Sequence, residues 1–205
     1  MINSFKSFLI EEERTVYFTF GRMNPPTIGH EKLMTKLSEK SGKNPYRVYL
    51  SHSQDAKKNP LTFNEKVKYA RKMFPKHARQ IMSDMRVKTV FDAATKLYNE
   101  GFKKVSMVVG SDWINEFNAL LNKYNGKKGR HGFYNFENIN VVSAGERDPD
   151  ADGAEGMSAS KMRQFVADGD YDAFAEGMPN TLNDMEKRRV YQSLRKNMRL
   201  RVIEN

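Results

Sequence analysis

Apolar positions along the chain change period several times, and each change marks an element. Residues 15–20 (TVYFTF) are β-branched and aromatic on both faces, the pattern of a strand covered on both sides in a parallel sheet. His30, Leu33, Met34 and Leu37 then recur at helical spacing until Gly42 and Pro45 end the run. Residues 46–51 (YRVYLS) predict a second strand, and Phe63, Val67, Ala70, Met73 and Phe74 predict a second helix stopped by Pro75. A short strand is expected at 80–83. Val90, Phe91, Ala94, Leu97 and Tyr98 predict a third helix, with Gly101 closing it. Residues 104–109 (KVSMVV) read as a strong strand, and Trp113, Ile114, Phe117, Leu120, Leu121 and Tyr124 share one face of a fourth helix. Residues 139–142 predict another strand and 158–167 and 182–200 two more helices, while the Gly- and Lys-rich 125–136 reads as a loop.

Strand–helix alternation with short connections predicts an α/β fold: a Rossmann-like parallel sheet with helices on both faces, plus a C-terminal helix. The chain divides on this reading into an N-terminal extension (1–13), a main domain (14–168) and a basic helical segment (169–205). Such sheets bind ligands at the carboxyl ends of their strands. Three turns there carry candidate chemistry.

The first is 21–30, GRMNPPTIGH. Gly21 permits a tight exit from the strand and close backbone approach of a ligand. Pro25 and Pro26 stiffen the loop and remove two donors. Gly29 and His30 open a helix whose N-terminus favours negative charge, and a histidine there can donate to a phosphate oxygen. His30 also lies on the apolar face with Leu33, Met34 and Leu37, so a core histidine is the competing reading. The second turn is Gly110-Ser111-Asp112, leading into Trp113. Asp112 is placed as a helix N-cap; a carboxylate gripping a second substrate is the alternative. The third is Gly156 to Arg163, GMSASKMR. Ser158 is the expected N-cap. Lys161 and Arg163 sit in the first turn, where the helix dipole disfavours cations, and no Glu or Gln occupies the capping-box position. Two hydroxyls, an ammonium and a guanidinium make sense there around a polyphosphate. The plain alternative is a surface helix with unoptimised charge.

Composition narrows the partners. The 205 residues are 39% hydrophobic and 29% charged, too apolar and patterned for a disordered chain. No stretch approaches the ~20 apolar residues of a membrane span. The N-terminus lacks the features of a secretory signal, and the absence of cysteine excludes disulfides and thiolate metal sites. A cytoplasmic protein is expected. The formal charge of +10 favours anionic partners. It is uneven: 146–155 carry five acids and one arginine, whereas 183–205 carry seven basic residues and three acids.

The three turns together resemble the cytidylyltransferase-like nucleotidyltransferase superfamily over about residues 14–168. Residues 21–30 match G-x-x-x-P-x-T-x-G-H, in which Thr27-Ile-Gly-His30 is the threonine form of [H/T]-x-G-H. Residues 157–163 resemble the second motif, I-S-[ST]-[ST]-x-x-R, with Ala159 departing from the commoner small polar residue. Gly110-Ser-Asp-Trp113 resembles the G-[AS]-D segment of nicotinamide mononucleotide adenylyltransferases. The stretch GERDPDADGAEGMSASKMR also looks like cytidylyltransferase-like proteins of tailed bacteriophages, which would place the chain in a host cytoplasm.

The resemblance implies attack of an acceptor oxygen on the α-phosphate of ATP or CTP, with release of pyrophosphate and Mg²⁺ accompanying the triphosphate. His30, Thr27, Arg163 and Ser160 would act on the phosphates. Gly21, Arg22, Met23, Asn24, Gly29, Ser158 and Lys161 would line the phosphate site, and Gly110, Ser111, Asp112 and Trp113 the acceptor side. It also implies one shared anion site for positions 30 and 163. Adenylyl transfer to nicotinamide mononucleotide is the leading expectation. Cytidylyl transfer to a phosphorylated alcohol is one alternative, and a non-catalytic nucleotide- or nucleic-acid-binding protein on the same fold is another. Lys57 and Lys58, after the second strand, are secondary phosphate candidates.

Asp148-Pro-Asp150-Ala-Asp152-Gly153 imitates the start of a calcium loop, but its twelfth position is Ala159 rather than glutamate, so a flexible acidic loop is expected. Help in holding Mg²⁺ is the role expected of that loop. His52, His77 and His131 show no ligand spacing, and no protein metal site is expected. Val190, Leu194 and Met198 predict a C-terminal helix packed on the domain with a basic outer face; nucleic-acid contact there is a minor reading. A homo-oligomer is left open.

Overall fold

The computed structural model describes residues 14–145 and 157–200. Four strands, β1 (Thr15–Gly21), β2 (Tyr46–Leu50), β3 (Lys104–Val109) and β4 (Asn138–Ser143), form one sheet in the order β2-β1-β3-β4. All run parallel. β1 meets β3 from Thr15 opposite Lys104 to Phe18 opposite Met107, and β3 meets β4 from Lys104 opposite Asn138 to Val109 opposite Ser143. β3 buries five successive residues, Val105 to Val109, as a strand covered on both faces must. β4, at the edge, buries Ile139 alone.

The helices are α1 (Ile28–Ser41), α2 (Phe63–Met73), α3 (Val90–Asn99), α4 (Ile114–Tyr124), α5 (Ala159–Asp168), α6 (Tyr171–Glu176) and α7 (Asp184–Asn197). The fold is of the Rossmann-like α/β class with a C-terminal helix, as the sequence predicts. α1 buries Met34 and Leu37, then ends at Gly42, whose φ of +56° suits glycine. α2, α3 and α7 each begin with a complete capping box: Thr62 with Glu65, Thr89 with Asp92, Asn183 with Glu186.

Three expectations change. Residues 80–83 form no strand; Ile81 makes a single bridge position. Its amide bonds to the His77 carbonyl, and its carbonyl takes the Arg71 guanidinium at 2.6 Å, so its backbone groups are used in a turn. Asp112 is not a helix N-cap. It lies within a 3₁₀ turn, Ser111–Trp113, and neither that turn nor α4 receives a side-chain cap. The fourth helix therefore starts after Trp113 and buries only Leu121 of its predicted face. α6 was not expected; six residues are too few to show a helical period. The extension 1–13, the acidic loop 146–155 and Gly156 lie outside the described residues.

The described chain falls into two compact units, each discontinuous in sequence. The first comprises 14–20, 33–49 and 84–145 and holds nearly all of the sheet. The second comprises 21–32, 50–83 and 157–200. In the second, α5, α6 and α7 pack on one another and bury Met162, Val166, Phe174, Val190 and Leu194. α7 is fixed to α2 by Tyr69 to Ser193 at 2.7 Å and Asn197 to Glu65 at 3.1 Å. Arg188, Arg189 and Lys196 face outward, as the sequence predicts for that helix. No helix among the described residues is long and apolar enough to cross a membrane.

Candidate functional site

The loop leaving β1 gathers most of the predicted phosphate-site residues within the second unit. Thr27 is the N-cap of α1: its carbonyl accepts from the amides of His30 (2.9 Å) and Glu31 (3.3 Å). His30 is the third residue of that helix. Its Nδ1 accepts from the Thr27 amide at 3.0 Å and lies 2.9 Å from the Thr27 hydroxyl. In three other helices a carboxylate makes this reach-back; here an imidazole does. Because Nδ1 accepts an N–H, the ring proton belongs on Nε2, which makes Nε2 a donor. Thr27 is buried, and its hydroxyl is directed at the ring rather than outward. That contact helps to fix the orientation of the His30 ring.

Met23 and Asn24 are buried as well. The Asn24 side chain binds both backbone groups of Leu61, donating to its carbonyl at 3.0 Å and accepting from its amide at 2.9 Å. Only main-chain groups of these two residues remain for a ligand. The Asn24–Pro25 peptide is cis. Met23 has φ +42°, a left-handed conformation that is uncommon for a bulky side chain.

Gly21 and Gly29 have ordinary φ, and nothing nearby forbids a side chain. A Cβ on Gly21 would approach the Met23 side chain at 3.8 Å; one on Gly29 would meet the Thr27 hydroxyl at 3.6 Å and the Met157 carbonyl at 3.7 Å. These are normal contacts, so the glycines are not demanded by the described chain's own packing.

Ser158 caps α5, accepting from the Lys161 amide at 3.1 Å. The cap uses one lone pair and leaves the hydroxyl proton for donation. The Lys161 side chain is exposed. Arg163 reaches across 139 positions of sequence to donate to the Asn24 carbonyl at 2.6 Å, and its second nitrogen donates to the Ser160 hydroxyl at 3.0 Å. Burial, and then the nearby positive Arg22, hold the Arg163 pKa below its ordinary value, while Asp55 acts the other way. The fold thus brings 24–30 and 157–163 together, with two guanidinium groups close enough to repel each other.

Asp55 organises the loop after β2. Its carboxylate accepts from the amides of Lys58 (2.6 Å) and Lys57 (2.9 Å) and from the Asn59 side chain (2.5 Å). These bonds, led by the Lys58 amide, lower its pKa to about 2. The turn leaves the Lys57 and Lys58 side chains exposed.

Two residues of this region were not singled out by sequence: Asp55 and Lys66. The Asp-x-Lys-Lys-Asn spacing is a legible turn signal. Lys66 is fully buried, and its ammonium donates to the carbonyls of Arg22 (3.1 Å) and Ser51. In sequence it falls on the apolar face of α2 between Phe63 and Ala70, and that interruption was its only mark.

Gly110, Ser111, Asp112 and Trp113 lie in the first unit, at the end of β3, with Asp112 and Trp113 exposed. His52 stacks on Phe63 at 4.0 Å between centroids and His131 on Phe91 at 4.6 Å; His77 is buried, which lowers its pKa, with Lys76 adding to the effect. Among the described residues no three His, Asp or Glu side chains are grouped as a metal cage. Comparison with known protein families and with curated proteins finds no match.

Proposed function

We propose that the protein is a nucleotidyltransferase, moving a nucleoside monophosphate from ATP or CTP to a small phosphorylated acceptor. The observation that carries this reading is the junction of 24–30 with 157–163. Arg163 of α5 donates to the carbonyl of Asn24, in the loop that leads to the His30 imidazole at the start of α1. Helix N-termini already favour anions, and excess positive charge there has a counter-ion in a triphosphate.

In this mechanism an acceptor phosphate oxygen attacks the α-phosphorus. The α–β bridging bond breaks, and pyrophosphate leaves with its electron pair. No enzyme nucleophile is needed; catalysis is alignment and charge stabilisation. His30 Nε2–H donates to a non-bridging α-phosphate oxygen. Arg22 and Arg163 hold the β- and γ-phosphates, with Lys57, Lys58 and Lys161 at the periphery. Mg²⁺ bound to the triphosphate would neutralise phosphate charge. Phosphate oxygens and water supply most of its ligands in such sites.

Nicotinamide mononucleotide is the leading acceptor because Gly110-Ser-Asp-Trp113 resembles the G-[AS]-D segment of nicotinamide mononucleotide adenylyltransferases. A phosphorylated alcohol with CTP is the alternative pair. A pyrophosphate-release screen of ATP and CTP against both acceptor classes tests the proposal. Turnover with one pair supports it. An inert protein that instead shifts labelled DNA would replace it with a nucleic-acid-binding role.

A further inference from the structure

Lys66 is a fully buried lysine whose partners are all neutral. Its ammonium donates to the Arg22 carbonyl at 3.1 Å, to the Ser51 carbonyl, and more weakly to the Ser51 hydroxyl at 3.5 Å. Burying a cation without a carboxylate is costly, so an apolar residue would serve plain packing better. Three acceptors satisfy three N–H bonds, which makes the charge tolerable.

The location of those acceptors gives the charge a purpose. Arg22 lies at the root of the loop that carries Thr27 and His30. Ser51 lies at the root of the loop that carries Asp55, Lys57 and Lys58. The two roots are also joined by the Ser51 amide, which donates to the Gly21 carbonyl at 2.9 Å. One buried ammonium thus draws together both basic loops from behind. It also turns the carbonyl dipoles of Arg22 and Ser51 inward, away from any anion in front of them.

We infer that Lys66 is a positioning residue for the triphosphate: it holds the 21–30 and 51–59 loops in the register in which their donors converge on phosphate. The inference rests on the nucleotidyl-transfer reading of this site. Lys66 does not touch the substrate, and it acts through the backbones of Arg22 and Ser51.

The test compares full-length Lys66→Met and Lys66→Arg with wild type. Thermal unfolding checks the fold, and calorimetry measures binding of inorganic tripolyphosphate with Mg²⁺. Lys66→Met should fold and bind about tenfold or more weakly, the order expected when charge-assisted hydrogen bonds are lost. Lys66→Arg, which restores charge and donors, should recover most of the affinity. If Lys66→Met does not fold, Lys66→Gln replaces it in the same comparison with Lys66→Arg. Folded Lys66→Met that binds like wild type overturns the inference and leaves the site intact. A wild-type protein that binds no tripolyphosphate overturns the nucleotidyl-transfer reading itself, and the inference with it.

Discussion

The Nδ1 atom of His30 accepts the Thr27 amide proton at 3.0 Å, so one imidazole both closes the start of α1 and presents its other nitrogen as a donor. A carboxylate in the same place, as in α2, α3 and α7, would cap the helix equally well but would add negative charge at the start of α1. This distinction gives a sharp test. His30→Glu should keep the cap and unfold within about 0.5 kcal/mol of wild type, while turnover falls about 10²–10³-fold. His30→Ala should lose both, costing about 1 kcal/mol for the missing hydrogen bond. Thermal unfolding set beside pyrophosphate release reads the two effects separately.

Gly29 offers a prediction of opposite signs. An alanine has room beside Thr27 and Met157, and alanine is the better helix former. Gly29→Ala should therefore raise stability by up to about 1 kcal/mol. If a phosphate approaches the Gly29 backbone, the added methyl group should weaken triphosphate binding about tenfold. Calorimetry showing equal affinity in the stabilised variant would remove Gly29 from the site.

Arg163 makes two directed bonds from one planar group, to Asn24 and to Ser160. Arg163→Lys keeps the charge and loses the fork. It should cost about 1.5–3 kcal/mol of charge-assisted bonding, seen as a rise of roughly 10–100-fold in the triphosphate Kd.

Lys66 also predicts a dependence of stability on pH. Burial brings its pKa down from 10.5 to about 8. Between these values the unfolded chain binds more protons at this position than the folded one, so the Lys66 contribution to stability rises with pH. Below about 8 both states are protonated and the contribution is level. Other groups cancel when wild type is compared with Lys66→Met: the wild-type Tm should gain on the variant between pH 8 and 10. A difference that stays constant over that window would contradict the low pKa.

The sheet and the larger helices were legible because burial imposes periods. Residues 104–109 could only be a covered strand, and Phe63 to Phe74 could only be one face of a helix. Residues 80–83 misled because an apolar residue beside a turn looks like a short strand; what decided it was Arg71, ten positions away in sequence, reaching the Ile81 carbonyl. Asp112 misled for a related reason. An Asp before an apolar run is the usual N-cap signal, but here a 3₁₀ turn takes up Ser111–Trp113 first.

At the site, sequence spacing pointed to His30 and Arg163, because cations at helix starts are conspicuous. It did not reveal that the Thr27 hydroxyl lies against the imidazole or that the Asn24 side chain is spent on the backbone of Leu61. Those assignments depend on side-chain direction, which spacing leaves open. Lys66 was hidden because lysines on helices are ordinary; its significance lies in complete burial among carbonyls, a property of the folded chain alone.

Nucleotidyl transfer is tested most directly by following the α-phosphorus. With ATP or CTP labelled at that atom and the acceptor present, the label should move to the acceptor as unlabelled pyrophosphate is released, and His30→Glu should slow the movement about 10²–10³-fold. Label that stays in the triphosphate, or that leaves as nucleoside monophosphate without joining any acceptor, would contradict the function proposed for this fold.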